Sequence, residues 1–258
     1  MADRPAPDPR LGLFETLLVL DGAPVALDAH LERLGASLAT ALRAVLPDSA
    51  ADLARDAARG VGLGRLRLTA APAGDHSGES RPDFGEASIS LRGEAAPIDP
   101  QICLPSWEHG VDLCSFGLPG GLGEHKWRDR SALPTEEAAL TLLLDRGAEV
   151  LEASRANVFA IRNGALFTPP LDGRVLPGTT RAAVLAIAAA EGIDAAERQL
   201  RLDDLREADE VFLTGSVRGV EPARSLDGAG LGRGSVVPLL AERLGERWGV
   251  PAQLPAGR

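Results

Sequence analysis

Lys126 is the only lysine in the chain; the other 26 of its 27 basic residues are arginine. Where positive charge alone is needed, arginine has served. A retained lysine is therefore a candidate for what a guanidinium cannot do, which is to lose a proton and attack a carbonyl as a neutral amine. That is Schiff-base chemistry, with a leftover surface lysine as the plainer alternative. Arg128 and Arg130 follow closely, and their field would help a neighbouring ammonium deprotonate; a solvated basic patch is the other reading of the pair. Thr179 and Thr180 follow Pro177-Gly178 and open a predicted helix. A helix N-terminus offers unpaired N–H groups and a positive dipole end, a natural phosphate site to which the hydroxyls add donors. An ordinary N-cap is compatible with the same residues. Ser216, after Thr214-Gly215 at a predicted strand end, adds a further donor.

These groups need a scaffold, and 258 residues suffice for one large domain or two smaller ones. A net charge of -10 argues against a polyanion as partner, because phosphate backbones demand a basic surface. Cys103 and Cys114 form no Cys-x-x-Cys pair and lie away from clustered histidine, so they read as reduced structural thiols and no metal is expected. His109 and His125 have no spaced partner and receive no role. The segment Met1 to Pro9 has no apolar core, and the longest apolar run, Ala182 to Ala190, is too short to span a bilayer. The expectation is a cytoplasmic chain with neither membrane nor nucleic acid as partner.

Hydrophobic periodicity predicts a strand over 14–20, a helix over 28–44 with leucines at helical spacing, a second helix over 50–59, and strands over 65–71 and 87–91. A polar Gly/Ser/Asp loop fills 74–85. The glycine-rich stretch 117–123 is the expected linker between a smaller N-terminal domain, 1–116, and a larger C-terminal one, 124–258. Beyond it come a predicted helix over 135–146, strands over 149–151, 158–161 and 165–168, a helix over 179–191, a strand over 210–214 and a last helix over 236–248. Short strands interrupted by helices indicate two α+β domains rather than a doubly wound parallel sheet, and no GxGxxG follows a strand.

Four segments, in order, resemble the class IV aminotransferase family. They are Phe14-Glu15-Thr16 with His30-Leu31-Glu32-Arg33-Leu34; His125-Lys126-Trp127-Arg128-Asp129-Arg130; Glu149 to Phe159 followed by Leu176-Pro177-Gly178-Thr179-Thr180-Arg181; and Ala208 to Ser216 closed by Val220 to Gly228. The resemblance runs from about Phe14 to Trp248. It implies an α+β, two-domain fold type IV enzyme dependent on pyridoxal 5'-phosphate, acting as a homodimer on a small-molecule amine. It further implies that Lys126 bonds the cofactor and moves the substrate Cα proton, and that Glu152 pairs with the ring nitrogen. Asn157 would order the backbone near the ring, and Arg33, Thr179, Thr180 and Ser216 would hold the phosphate. His30, one turn before Arg33, reads as a supporting donor. At its start the chain keeps only Leu11-Gly12-Leu13 of the approach that relatives make to the Phe-Glu-Thr segment.

The family includes branched-chain and D-amino-acid aminotransferases and 4-amino-4-deoxychorismate lyase. Branched-chain members rely on tyrosines, and this chain has none. The lyase substrate carries two carboxylates, for which Arg128, Arg130 and Arg218 are the candidate binders. The expectation is therefore the lyase of the folate pathway, with an amino-acid aminotransferase and an inactive cofactor-binding relative as alternatives.

Overall fold

A computed structural model describes residues 6–74, 88–135 and 139–250. The chain divides into two compact units, one holding residues 5–98 and 125–132, the other residues 99–124 and those from 133 onward. The expected linker 117–123 thus lies inside the second unit, and the chain returns to the first only for the eight residues that carry Lys126.

In the first unit the elements are β1 (Leu13–Leu20), β2 (Ala23–Pro24), α1 (Leu27–Ser37), α2 (Ala50–Ala58), β3 (Leu63–Pro72) and β4 (Ile89–Pro97). They form an antiparallel sheet in the order β2-β1-β3-β4. Alternation along β3 sets its faces: Leu66, Leu68 and Ala70 are buried while Arg65 and Arg67 are exposed. Leu34, Leu38 and Leu42 pack against Leu13 and Leu68, and Ala54 and Ala58 of α2 pack with Leu17, Val19 and Leu66. The predicted helix over 28–44 ends its α-helical part at Ser37, continues as a π-helical turn over Leu38–Leu42, and stops at Arg43 in the left-handed region. Of the predicted loop 74–85, all but Gly74 lies outside the described residues.

The second unit contains β5 (Val111–Gly117), β6 (Leu140–Leu144), β7 (Glu149–Ala153), β8 (Asn157–Arg162), β9 (Ala165–Thr168), α3 (Thr179–Ala190), β10 (Ala195–Glu197), β11 (Leu200–Arg201), α4 (Leu202–Arg206), β12 (Glu210–Gly215), β13 (Gly219–Leu226), β14 (Ala229–Gly230) and α5 (Val236–Trp248). The sheet order is β10-β9-β8-β12-β13-β5-β6-β7-β11, with β14 on β13. It is mixed, since β5 runs parallel to both β13 and β6 and β10 runs parallel to β9. Side chains alternate between two apolar layers. Val211 and Leu213 enter the layer with Leu142, Val150 and Val158, whereas Phe212 enters the layer of α3 and α5, stacked on Phe159 at 4.9 Å.

One predicted helix is corrected. Residues 136–138 lie outside the described ones, and 140–144 is strand β6, not helix. Leucine favours helix in isolation, but this short apolar run is buried between β5 and β7, where ladder pairing and burial on both faces override propensity.

The Lys126 segment is pinned to β1 by its backbone. Phe14 N–H donates to Lys126 O at 3.0 Å, and Arg128 N–H donates to Gly12 O at 3.0 Å. Gly12 has φ 74°, and a Cβ there would collide with the Ala70 carbonyl oxygen. Gly12→Ala should therefore lower stability by at least about 1–3 kcal/mol, the usual cost of a non-glycine residue in strained backbone. The urea midpoint reads this, and an unchanged midpoint would contradict it.

Candidate active site

The chemistry of the first unit is organised by a carboxylate. Glu15 lies on β1 directly opposite Leu68, on the face that meets α1, and is 1% exposed. Arg33 Nε donates to its Oε1 at 2.8 Å and Nη2 to its Oε2 at 2.5 Å, while His30 Nδ1 approaches Oε2 at 2.7 Å. Burial pushes the Glu15 carboxyl up, but the His30 hydrogen bond and the Arg33 and Lys126 charges outweigh it and hold the pKa at about 2. Burial also dominates at His30, and with Arg33 and Lys126 it lowers the imidazole's pKa despite the pull of Glu15. An ionised carboxylate only accepts, so His30 presents Nδ1–H to it.

Lys126 shares this field. The residue is partly accessible, yet desolvation by the surrounding chain is the largest influence on its ammonium. Glu15 opposes that influence, Arg33, Arg130 and Arg67 reinforce it, and the pKa falls to about 8. With a pKa of about 8, roughly a tenth of the amine is neutral at pH 7, against less than about a thousandth for an unperturbed lysine, and the neutral form is the one that attacks a carbonyl. The Phe14 ring collects the cations around it, with Arg67 Cζ at 4.1 Å, Lys126 Nζ at 5.2 Å and Arg130 Cζ at 5.4 Å from its centre. Arg128 Nη1 donates to Leu11 O at 3.3 Å. His125, next to Lys126, places Nδ1 3.2 Å from Ser37 Oγ and meets the edge of Trp127.

In the second unit, Glu152 near the end of β7 is 3% exposed. Its Oε2 accepts from Asn157 Nδ2 at 3.3 Å and from Leu176 N–H at 3.2 Å, and Asn157 Nδ2 also donates to Leu176 O at 2.9 Å. Gly178 follows, and a Cβ there would collide with Asn157 Oδ1, so only glycine lets α3 begin this close to β8. Thr179 and Thr180 open α3, and Thr179 Oγ1 lies 3.4 Å from Ser216 Oγ on the turn after β12. Thr214 stands opposite Asn157 in register, and its buried hydroxyl has no hydrogen-bond partner.

The residues read from sequence thus gather into two groups, one in each unit: Lys126, Arg33, Arg128 and Arg130 in the first, and Glu152, Asn157, Thr179, Thr180 and Ser216 in the second. Arg218, expected to meet substrate, donates Nη1 to Glu221 at 2.8 Å. Two residues escaped the sequence reading. Glu15 was quoted only as part of a motif, although a lone carboxylate in the run Leu13–Leu20 signals a buried charge with partners. Arg67 was passed over, although the alternation of β3 places it on the face away from the core. The described residues contain no group of His, Cys, Asp or Glu that could hold a metal.

The chain matches the model of the amino-transferase class IV family over residues 12–109 and 124–226. It is 36% identical to a D-alanine aminotransferase of Listeria monocytogenes over 107 residues, 42% of this chain and 37% of that protein. The match therefore spans little more than a third of the relative's length. Among solved structures, it is similar to 4-amino-4-deoxychorismate lyase from Pseudomonas aeruginosa, with 27% identity, a TM-score of 0.74, and 91% and 90% of the two chains covered. It is also similar to the PLP-bound form of a hypothetical aminotransferase from Mycobacterium tuberculosis, with 26% identity, a TM-score of 0.73, and 92% and 88% covered. The chain belongs to the class IV aminotransferase family, has its fold type IV architecture, and uses pyridoxal phosphate. Taken unit by unit, the donors suit that group: the first unit offers an amine whose pKa is lowered to about 8, and the second a buried carboxylate and a helix start lined by hydroxyls.

An amine-reactive reagent acting on the cofactor-free protein should modify Lys126 with a midpoint near pH 8, against about 10.4 for an unperturbed lysine. Glu15→Gln removes the charge that raises this pKa, so its midpoint should lie lower still. A midpoint above 10, or one that Glu15→Gln moves upward, would contradict the electrostatic account.

Proposed function

We propose that this class IV aminotransferase family member is a 4-amino-4-deoxychorismate lyase, which converts its substrate to 4-aminobenzoate and pyruvate. The observation that carries this reading is the convergence of arginines on Lys126 and on one another. Arg33, Arg67 and Arg130 act on Lys126, while Arg65 and Arg128 act on Arg67. In a chain of net charge -10, such a set suits a substrate with more than one carboxylate. The likeness to the Pseudomonas lyase and the lack of tyrosine point the same way. The proposal includes a homodimer in the cytoplasm.

When bound, pyridoxal phosphate supplies an aldehyde to capture an amine and a ring that accepts electrons from the substrate Cα. Lys126 would hold the cofactor covalently and, once displaced by the substrate amine, take the Cα proton at Nζ. Glu152, oriented by Asn157 and the Leu176 N–H, would keep a proton on the ring nitrogen. Thr179, Thr180, Ser216 and Arg33 would bind the phosphate, and Glu15 would aim Arg33. Arg67, Arg128, Arg130 and Arg218 would bind substrate carboxylates.

The likeness to D-alanine aminotransferase favours a second reading, transamination, and products separate the two. Incubation with 4-amino-4-deoxychorismate and no 2-oxo acid should yield 4-aminobenzoate and pyruvate in equal amounts. Conversion of the cofactor to its amine form by D-alanine, reversed by a 2-oxo acid and accompanied by no 4-aminobenzoate, would favour the aminotransferase. Hydrogen bonds to a charged group contribute about 1.5–3 kcal/mol, so Arg33→Ala should weaken cofactor affinity roughly ten- to a hundredfold, with added cofactor restoring rate. Undiminished affinity would make Arg33 only a counter-ion for Glu15.

A further inference from the structure

Glu221 on β13 is 2% exposed, and two guanidiniums converge on it. Arg155 Nη1 and Nη2 donate to Oε2 and Oε1 at 2.9 and 3.1 Å, and Arg218 Nη1 donates to Oε1 at 2.8 Å. One fork already neutralises the carboxylate. The second leaves the trio with a net positive charge, and Arg155 Nε with Arg218 Nε and Nη2 take no part in the bonds to Glu221. Both arginine side chains keep accessible surface, 39% and 30%.

Their placement is as telling as their charge. Arg155 sits in the turn from β7 to β8, and Arg218 in the turn from β12 to β13. β8 begins at Asn157 opposite Thr214, and the β12–β13 turn also carries Ser216, which meets Thr179. The two guanidiniums therefore lie at the end of the second unit's sheet where α3 starts. Arg174, elsewhere in the same unit, shows the contrasting design: Asp145, Glu149 and Asp172 all bond its guanidinium, which leaves an excess of negative charge and a purely structural tie.

A buried carboxylate that holds two partly open guanidiniums is a mount for an anion, and planar forks match a carboxylate best. We propose that Arg155 and Arg218, mounted on Glu221, are specificity-determining residues that receive a carboxylate of the substrate. They would make the enzyme selective for amines that carry a second carboxylate. Glu221 is a positioning residue, acting through the two arginines. The inference rests on the reading of the chain as a pyridoxal phosphate enzyme acting on an amine, and it adds Arg155 and Glu221 to the recognition set.

Calorimetric titration of the holoenzyme with two unreactive anions, benzoate and isophthalate, tests it. Wild type should hold the dicarboxylate at least about tenfold tighter, as one added charge-assisted bond implies. Arg155→Gln and Arg218→Gln each leave Glu221 one guanidinium, and each should cut the preference to about threefold or less. Arg218→Lys, which keeps charge but not the fork, should retain an intermediate preference. No preference in wild type, or a wild-type preference retained in both Gln variants, would overturn the proposal. Cofactor absorbance, recorded on the same samples, reports separately on the underlying reading: a chain that holds cofactor without the preference loses this inference alone. A chain that takes up no cofactor loses the reading on which it rests, and the absent preference in that protein then counts against both.

Discussion

A carboxylate inside an apolar layer must find its counter-charges there, and Glu15 finds them on α1. The strand supplies the acid at the position facing the helix, and the helix supplies His30 and Arg33 one turn apart. Removing one member of such a buried set costs about 3–5 kcal/mol, because the remaining charge is left uncompensated. The pKa of Glu15 is held well below its unfolded value, so this stabilisation is present above about pH 4.3 and is lost as pH falls toward 2. The same charge restrains Lys126. Burial and three guanidiniums push its ammonium toward neutrality, and Glu15 keeps the shift within the range where the amine is both populated and basic enough to take a proton.

The second unit brings neutral groups to its own buried carboxylate. An amide and a backbone N–H orient Glu152, and Leu176 serves both Glu152 and Asn157 because the backbone before α3 passes close to β8. Gly178 permits that approach. One local packing constraint thereby couples the carboxylate to the hydroxyl-lined start of the helix, and a larger side chain at 178 would disturb both.

Much of this was legible in the residues. Lys126 stood out by its solitude, and Gly178-Thr179-Thr180 announced a helix start. α2, α3 and α5 were visible in hydrophobic periodicity, because their packing faces are regular. β6 was not: Leu140-Thr141-Leu142-Leu143-Leu144 has no periodicity to distinguish a strand buried on both faces from a helix. The return of 125–132 to the first unit was also hidden, because it depends on backbone bonds to Gly12 and Phe14, which side-chain patterns do not encode. Arg33 was recognised by resemblance, but its partner Glu15 was not, since which face of β1 meets α1 is decided by register. Arg155 gave no signal at all, as its meaning depends on Glu221, 66 residues away.

In the proposed reaction Lys126 is the residue through which this chain works on its cofactor. Borohydride treatment of the holoenzyme, followed by peptide mapping, tests it most directly. One cofactor-derived modification per chain, located on Lys126, is the predicted result. A holoenzyme whose modification falls on the N-terminal amine, with Lys126 unaltered, would contradict the account.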